Sequence, residues 1–182
     1  MNDFSMLTRL FGNLFYRAPQ DEVLTGVFDW LKQGQLTALW ALGVDAQSQQ
    51  ALNRLEQLDR AQMQRDFERL FAQDGAVSVK ISDYNDTLAD FMQFRAERGL
   101  PALAEPDHVA HLLLSSSWIE DNLDSLSAQQ QLFADFLLPT MKAFLGQVEA
   151  HDQSAYQALA QLCREALSAM ADELEEEAQS AV

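Results

Sequence analysis

One cysteine, Cys163, stands in 182 residues, which excludes a disulfide framework and any zinc site built from several thiolates. Seven glycines and four prolines are too few turn formers for an all-β sandwich, which turns every ~8–12 residues. No run nears the ~18 apolar residues of a membrane-spanning helix, so stable membrane insertion is not expected. The opening MNDFSMLTRLFGNLFYRAP has no basic head followed by an apolar stretch and a small-residue cleavage site, so no secretory signal is read there. Positive charge is scarce: 12 Lys and Arg face 28 Asp and Glu, a net charge of −16. Phosphates need cations to neutralise them, so nucleic acid is excluded as a partner and a positively charged one is favoured. A Gly-rich phosphate loop and a G-x-S-x-G elbow are both missing. The expectation is a soluble, cytoplasmic protein.

What is present has the helical period almost throughout. Phe4, Leu7, Leu10, Phe11, Leu14 and Phe15 form one apolar stripe. Val23, Leu24, Val27, Phe28 and Leu31 form the next and stop at Gly34. Leu52, Leu55 and Leu58, then Met63, Phe67, Leu70 and Phe71, continue the pattern. Leu88, Phe91 and Met92 precede a stop at Gly99. Val109, Leu112, Leu113, Ser116 and Ile119 share a face, as do Leu132 to Val148 and then Tyr156 to Leu174. Asp86 is placed to cap the helix carrying Leu88, and Ser127 with Gln130 fits a capping box. Pro106 suits a first helical turn, and Pro139 should kink or split its helix. Val77 to Ile81 alternates, but one short run makes no sheet and reads as an extended connection. Trp30, Trp40 and Cys163 read as core. The prediction is an all-α, single-domain helical bundle of about eight to nine helices. It would span residues 1–171, with a hinge near 99–105 and a frayed acidic tail over 172–182.

The densest group of functional side chains is Glu105-Pro106-Asp107-His108-Val109-Ala110-His111. On a helical wheel Asp107, His111, Leu114 and Trp118 share a side, so Asp107 is expected to pair with His111 one turn on. Ser116 faces the core, where its hydroxyl can bond back to the preceding turn. Three readings of the cluster stand: an acidic first turn with surface histidines, a metal site from Glu105, Asp107, His108 and His111, or a recognition site for a basic ligand or peptide.

The run Glu105-Pro106-Asp107-His108, ahead of VAHLLLSSSWI, resembles the E-P-D-H signature of the TorD/DmsD family, all-helical cytoplasmic chaperones for molybdenum-containing redox enzymes. The opening RLFGNLFYRAP (9–19) is similar to the family's first helix and turn. Asp66 to Phe71, Phe133 to Leu145 with Leu137-Leu138-Pro139, and the Tyr156–Leu167 stretch follow in the family's order. The likeness thus covers most of the chain. The central DGAVSVKISDYNDTL lacks the Pro and Trp common in members, and only Tyr84 supplies an aromatic there. The later helix has Phe136-Leu137 where His-Leu is common. These departures bear on the client and suggest a side branch.

The resemblance implies a chaperone, not an enzyme, that needs no cofactor. Its partner would be a client redox enzyme, held by its twin-arginine signal peptide and possibly by its folded body. The implied peptide-binding residues are Glu105, Pro106, Asp107, His108, His111, Tyr84 and Trp118, with Asp107 meeting an arginine. The assembly would be a monomer or a domain-swapped homodimer through the GLPALAE hinge. The rivals are a helical metal-dependent hydrolase using Glu105, Asp107, His108 and His111, and a general helical adaptor.

Overall fold

A computed structural model describes residues 3–123 and 125–180, and these are helical with no strand. The helices are α1 (Asp3–Tyr16), α2 (Thr25–Lys32), α3 (Gln35–Leu39), α4 (Ala46–Glu56), α5 (Arg60–Phe71), α6 (Leu88–Glu97), α7 (Ala110–Asn122), α8 (Leu126–Gln131), α9 (Leu138–His151) and α10 (Ala155–Ser180). A π-helical turn, Leu132–Leu137, joins α8 to α9 without a break, so nine helices are counted among the described residues.

The apolar stripes become the core. Helix α1 packs most extensively against α7 and then against α10; α10 in turn packs on α4 and α9. Phe11, Leu14 and Phe15 of α1 meet Leu112, Leu113 and Ile119 of α7 and Leu159, Leu162 and Cys163 of α10 in one buried cluster. Phe15 lies 5.2 Å from Phe144 at an interplanar angle of 82°, and Tyr156 lies 5.1 Å from Phe71 at 86°. Such edge-on pairs add to the stabilisation from area burial alone. Gly12 lets α1 and α7 come close: a Cβ there would sit 2.8 Å from Leu114 Cγ. Trp40 is buried, and Trp30 is half-buried against the same core.

Helix ends follow local chemistry. Gly99, with φ +71°, ends α6 in the left-handed conformation, and the Leu100 amide bonds back to the Arg95 carbonyl at 3.0 Å. Two expected caps are displaced. The cap of α6 is Thr87, and the carboxamide oxygen of Asn85, not Asp86, accepts the Thr87 amide at 3.1 Å. Helix α8 is capped by Ser125, whose hydroxyl oxygen accepts the Ala128 amide at 3.3 Å, so Ser127 lies inside the helix and no box forms with Gln130. The α6 cap thus falls one residue later, and the α8 cap two residues earlier, than the side-chain pattern suggests.

Pro139 does not split its helix; a π turn lies just before it instead. The Leu138 amide reaches back five residues to the Phe133 carbonyl, while Pro139 offers no N–H. Val77 to Lys80 is an extended connection followed by a 3-10 turn, Ile81–Asp83, with Val77 and Ile81 buried. The acidic stretch after Ala171 is helical where it is described. It continues α10 to Ser180, and the Leu174 carbonyl accepts the Gln130 side-chain amide at 3.0 Å. Ala181 and Val182 lie outside the described residues.

Candidate functional site

The signature residues 105–108 precede α7 instead of forming its first turn. Helix α7 begins at Ala110, and Pro106 sits in the bend ahead of it. The expected Asp107–His111 pair therefore does not form. Asp107 turns to the 3-10 segment 81–83 instead: the Ser82 amide donates to Oδ1 at 3.0 Å and the Ser82 hydroxyl to Oδ2 at 2.5 Å. A backbone bond of 2.8 Å from the Val109 amide to the Val79 carbonyl closes the same seam. The extended connection thus docks along the signature, a partnership between segments some 25 residues apart in sequence.

His108 closes the entrance to α7. Its Nδ1 accepts the Ala110 amide at 3.1 Å, satisfying one of the donors that a helix start leaves unpaired. This bond needs a lone pair on Nδ1, so the ring is the neutral Nε2–H tautomer. Burial, with the nearby His111 adding to it, brings His108 down to about 4, against a smaller opposing pull from Asp107. His111 is also buried and lowered, first by desolvation; the Glu105 backbone opposes that shift, and Arg95 reinforces it. The Nε2 of His111 is buried without a hydrogen-bond partner.

Two site members were invisible to pattern reasoning. Tyr16, the last residue of α1, places its ring 5.0 Å from His108, edge-on at 87°, and 5.0 Å from His111 at 51°. It belongs to the YRAP motif that follows the first apolar stripe, and that motif was the available signal. The second is Arg95 of α6, buried and lowered by desolvation. It donates to the Ser115 hydroxyl and, at 2.6 Å, to the Pro101 carbonyl, tying α6, α7 and the 99–105 segment together. Ser115, not Ser116, bonds back to the preceding turn, through the His111 carbonyl at 2.5 Å. Ser116 does face the core, against Gln129.

The remaining expected members divide. Tyr84 lies on the docked connection, its hydroxyl donating to the Ser78 carbonyl at 2.7 Å and its ring edge-on to Phe144. Burial, and then the charge of Asp83, push its hydroxyl up to about 12. Trp118 is half-buried on α7, seven residues beyond His111 and so roughly 10 Å along the axis. Glu105 is exposed and Asp107 half-exposed, so this end of α7 presents negative charge around a neutral, buried histidine pair. Among the described residues no three His, Cys, Asp or Glu side chains converge to hold a metal ion. The hydrolase reading of Glu105, Asp107, His108 and His111 thus finds no support, because the extended signature directs Asp107 to Ser82 and His108 to the Ala110 amide.

No family model matches the chain. It is 49% identical over 179 residues to an uncharacterised protein of Haemophilus influenzae, covering 97% of each chain. It is 41% identical over 187 aligned residues to the chaperone protein YcdY of Escherichia coli K12, covering 98% of this chain and all of YcdY. No helix among the described residues is long and apolar enough to cross a membrane.

Proposed function

The chain belongs to the family of the chaperone protein YcdY, and on that premise we propose that it is a TorD-type chaperone, not an enzyme, acting in the cytoplasm on a molybdenum-containing redox enzyme. It would bind the client's twin-arginine signal peptide, its body or both, and hold the client until maturation before export. The observation that carries this reading is the 41% identity over the full length of YcdY. The E-P-D-H signature and its geometry support it. Each oxygen of Asp107 accepts one hydrogen bond from Ser82 and keeps a further acceptor position, and Glu105 stands exposed beside it. Carboxylates suit guanidinium groups, which make charge-assisted, forked hydrogen bonds. The Tyr16 ring packs against His108 and His111, whose Nε2 is buried without a partner.

Two measurements test the reading. Affinity capture of the tagged protein from its native cell, with the bound protein identified, should return a redox enzyme. Calorimetric titration with that enzyme's signal peptide should then give binding that weakens roughly ten- to a hundredfold in Asp107→Asn, the loss of one hydrogen bond to a charged group. Replacing the paired arginines of the peptide by lysines should weaken it too. Capture of no redox enzyme would overturn the client assignment. Equal affinity of folded wild type and Asp107→Asn would move the peptide site elsewhere.

A further inference from the structure

At the far end of α7 from the signature, roughly 18 Å along the helix axis, a cleft of about 530 Å³ opens between the α7–α8 connection and the C-terminal half of α10. Its floor is apolar: Phe4, Leu123, Leu126, Met170 and Leu174. Its rim is acidic, with Glu120 and Asp121 on one wall and Glu173 and Glu177 on the other. The two walls differ in what they have already engaged. Glu120 accepts the Gln129 side-chain amide at 2.8 Å, and Asp121 is held by Ser5 at 2.7 Å and by Arg9. Glu173 and Glu177 are exposed on α10.

We propose that this cleft is a docking surface for a basic, amphipathic segment of a partner protein, its apolar side chains on the floor and its arginines or lysines between the Glu173 and Glu177 wall and the opposite one. Three observations select that occupant. The floor removes apolar side chains from water, and every charged side chain lining the cleft is a carboxylate, of which Asp121 is already paired with Arg9. A second copy of a chain with net charge −16 would meet like charge on like charge. The rim is also self-repelling: partial burial raises Glu173, and Glu177, Glu120 and Glu176 raise it further. An incoming cation relieves that repulsion, and a neutral or acidic ligand does not. The surface shares no residue with the signature site, so it stands whether or not the signature binds a signal peptide.

The test uses the full chain and a short helical peptide with leucine on one face and arginine on the other, at low and moderate salt. Methyl resonances of Met170, Leu123, Leu126 and Leu174 should shift on titration. The exposed pair Glu173→Gln and Glu177→Gln should weaken binding roughly tenfold, the loss of two surface ion pairs. A control of equal charge change away from the cleft, Glu22→Gln with Asp29→Asn, should leave affinity nearly unchanged. Unmoved cleft methyls, or equal weakening by the control pair, would overturn the proposal, because attraction would then be general. Shifts of the same methyls on concentrating the protein alone would assign the cleft to a second copy and overturn it as well.

Discussion

Ser82 holds both oxygens of the Asp107 carboxylate, one through its backbone amide and one through its hydroxyl. The acidic residue of the signature is therefore also the anchor of the 78–84 connection. Ser82→Ala keeps the amide bond and should cost about 1 kcal/mol or less, because the pair is solvent-accessible. Asp107→Ala removes both acceptors and should cost more, about 1–2 kcal/mol. Urea unfolding of the two variants checks this, and equal midpoints would detach the connection from the signature.

Acid should loosen the entrance to α7. The His108 pKa is about 4 in the folded chain, below the unfolded value near 6.5, so the unfolded state binds more protons between those values. Stability carried by the neutral ring is complete above about pH 6.5 and falls as pH drops toward 4. The loss at pH 5 is on the order of 2 kcal/mol. His108→Asn removes the titration while leaving a side-chain acceptor. Its denaturation midpoint should fall less than that of wild type between pH 7 and pH 5, and parallel declines would assign the acid sensitivity to other groups.

Cys163 is wholly buried, and burial raises its thiol well above the usual range. A thiol reagent should react with it at the rate of chain opening, slowly in buffer and quickly in denaturant. Fast labelling of the native protein, followed by mass, would take Cys163 out of the core.

Gly12→Ala sets two effects against each other. Alanine gains up to about 1 kcal/mol in helix propensity. Its methyl group would collide with Leu114, an overpacking cost of about 1–3 kcal/mol. Net destabilisation is expected. Adding Leu114→Ala should make the Gly12 change less costly, giving a coupling of at least about 0.5 kcal/mol in a double-mutant cycle. Strict additivity in thermal unfolding would show that the two side chains do not meet.

The helices were legible because burial repeats every 3.6 residues, and Phe11, Leu112 and Cys163 all fell on stripes that the bundle buries. Gly99 was legible because a left-handed helix end favours a residue without a Cβ. The first residue of α7 was not. Pro106 is equally at home in a bend or a first turn, and what decides between them is Ser82, whose distance along the chain leaves no periodic trace. Tyr16 escaped notice for the same reason, since its histidine neighbours lie far along the chain. The acidic stretch after Ala171 reads as a weak helix end because its charges oppose the helix dipole; the Gln130 side chain, from outside the helix, bonds to its Leu174 carbonyl. The composition of the signature marked where chemistry gathers, and the direction each side chain takes came from the fold.

The close pairing of α1 with α7 also sets an order of events during synthesis. Ser5 and its partner Ser117 are 112 residues apart. At ~5–20 residues per second, the apolar stripe of α1 waits roughly 6 to 22 s for the surface that covers it. For that interval Phe11, Leu14 and Phe15 are the exposed greasy face of a nascent chain, so the newborn protein is itself a candidate for the care of other chaperones.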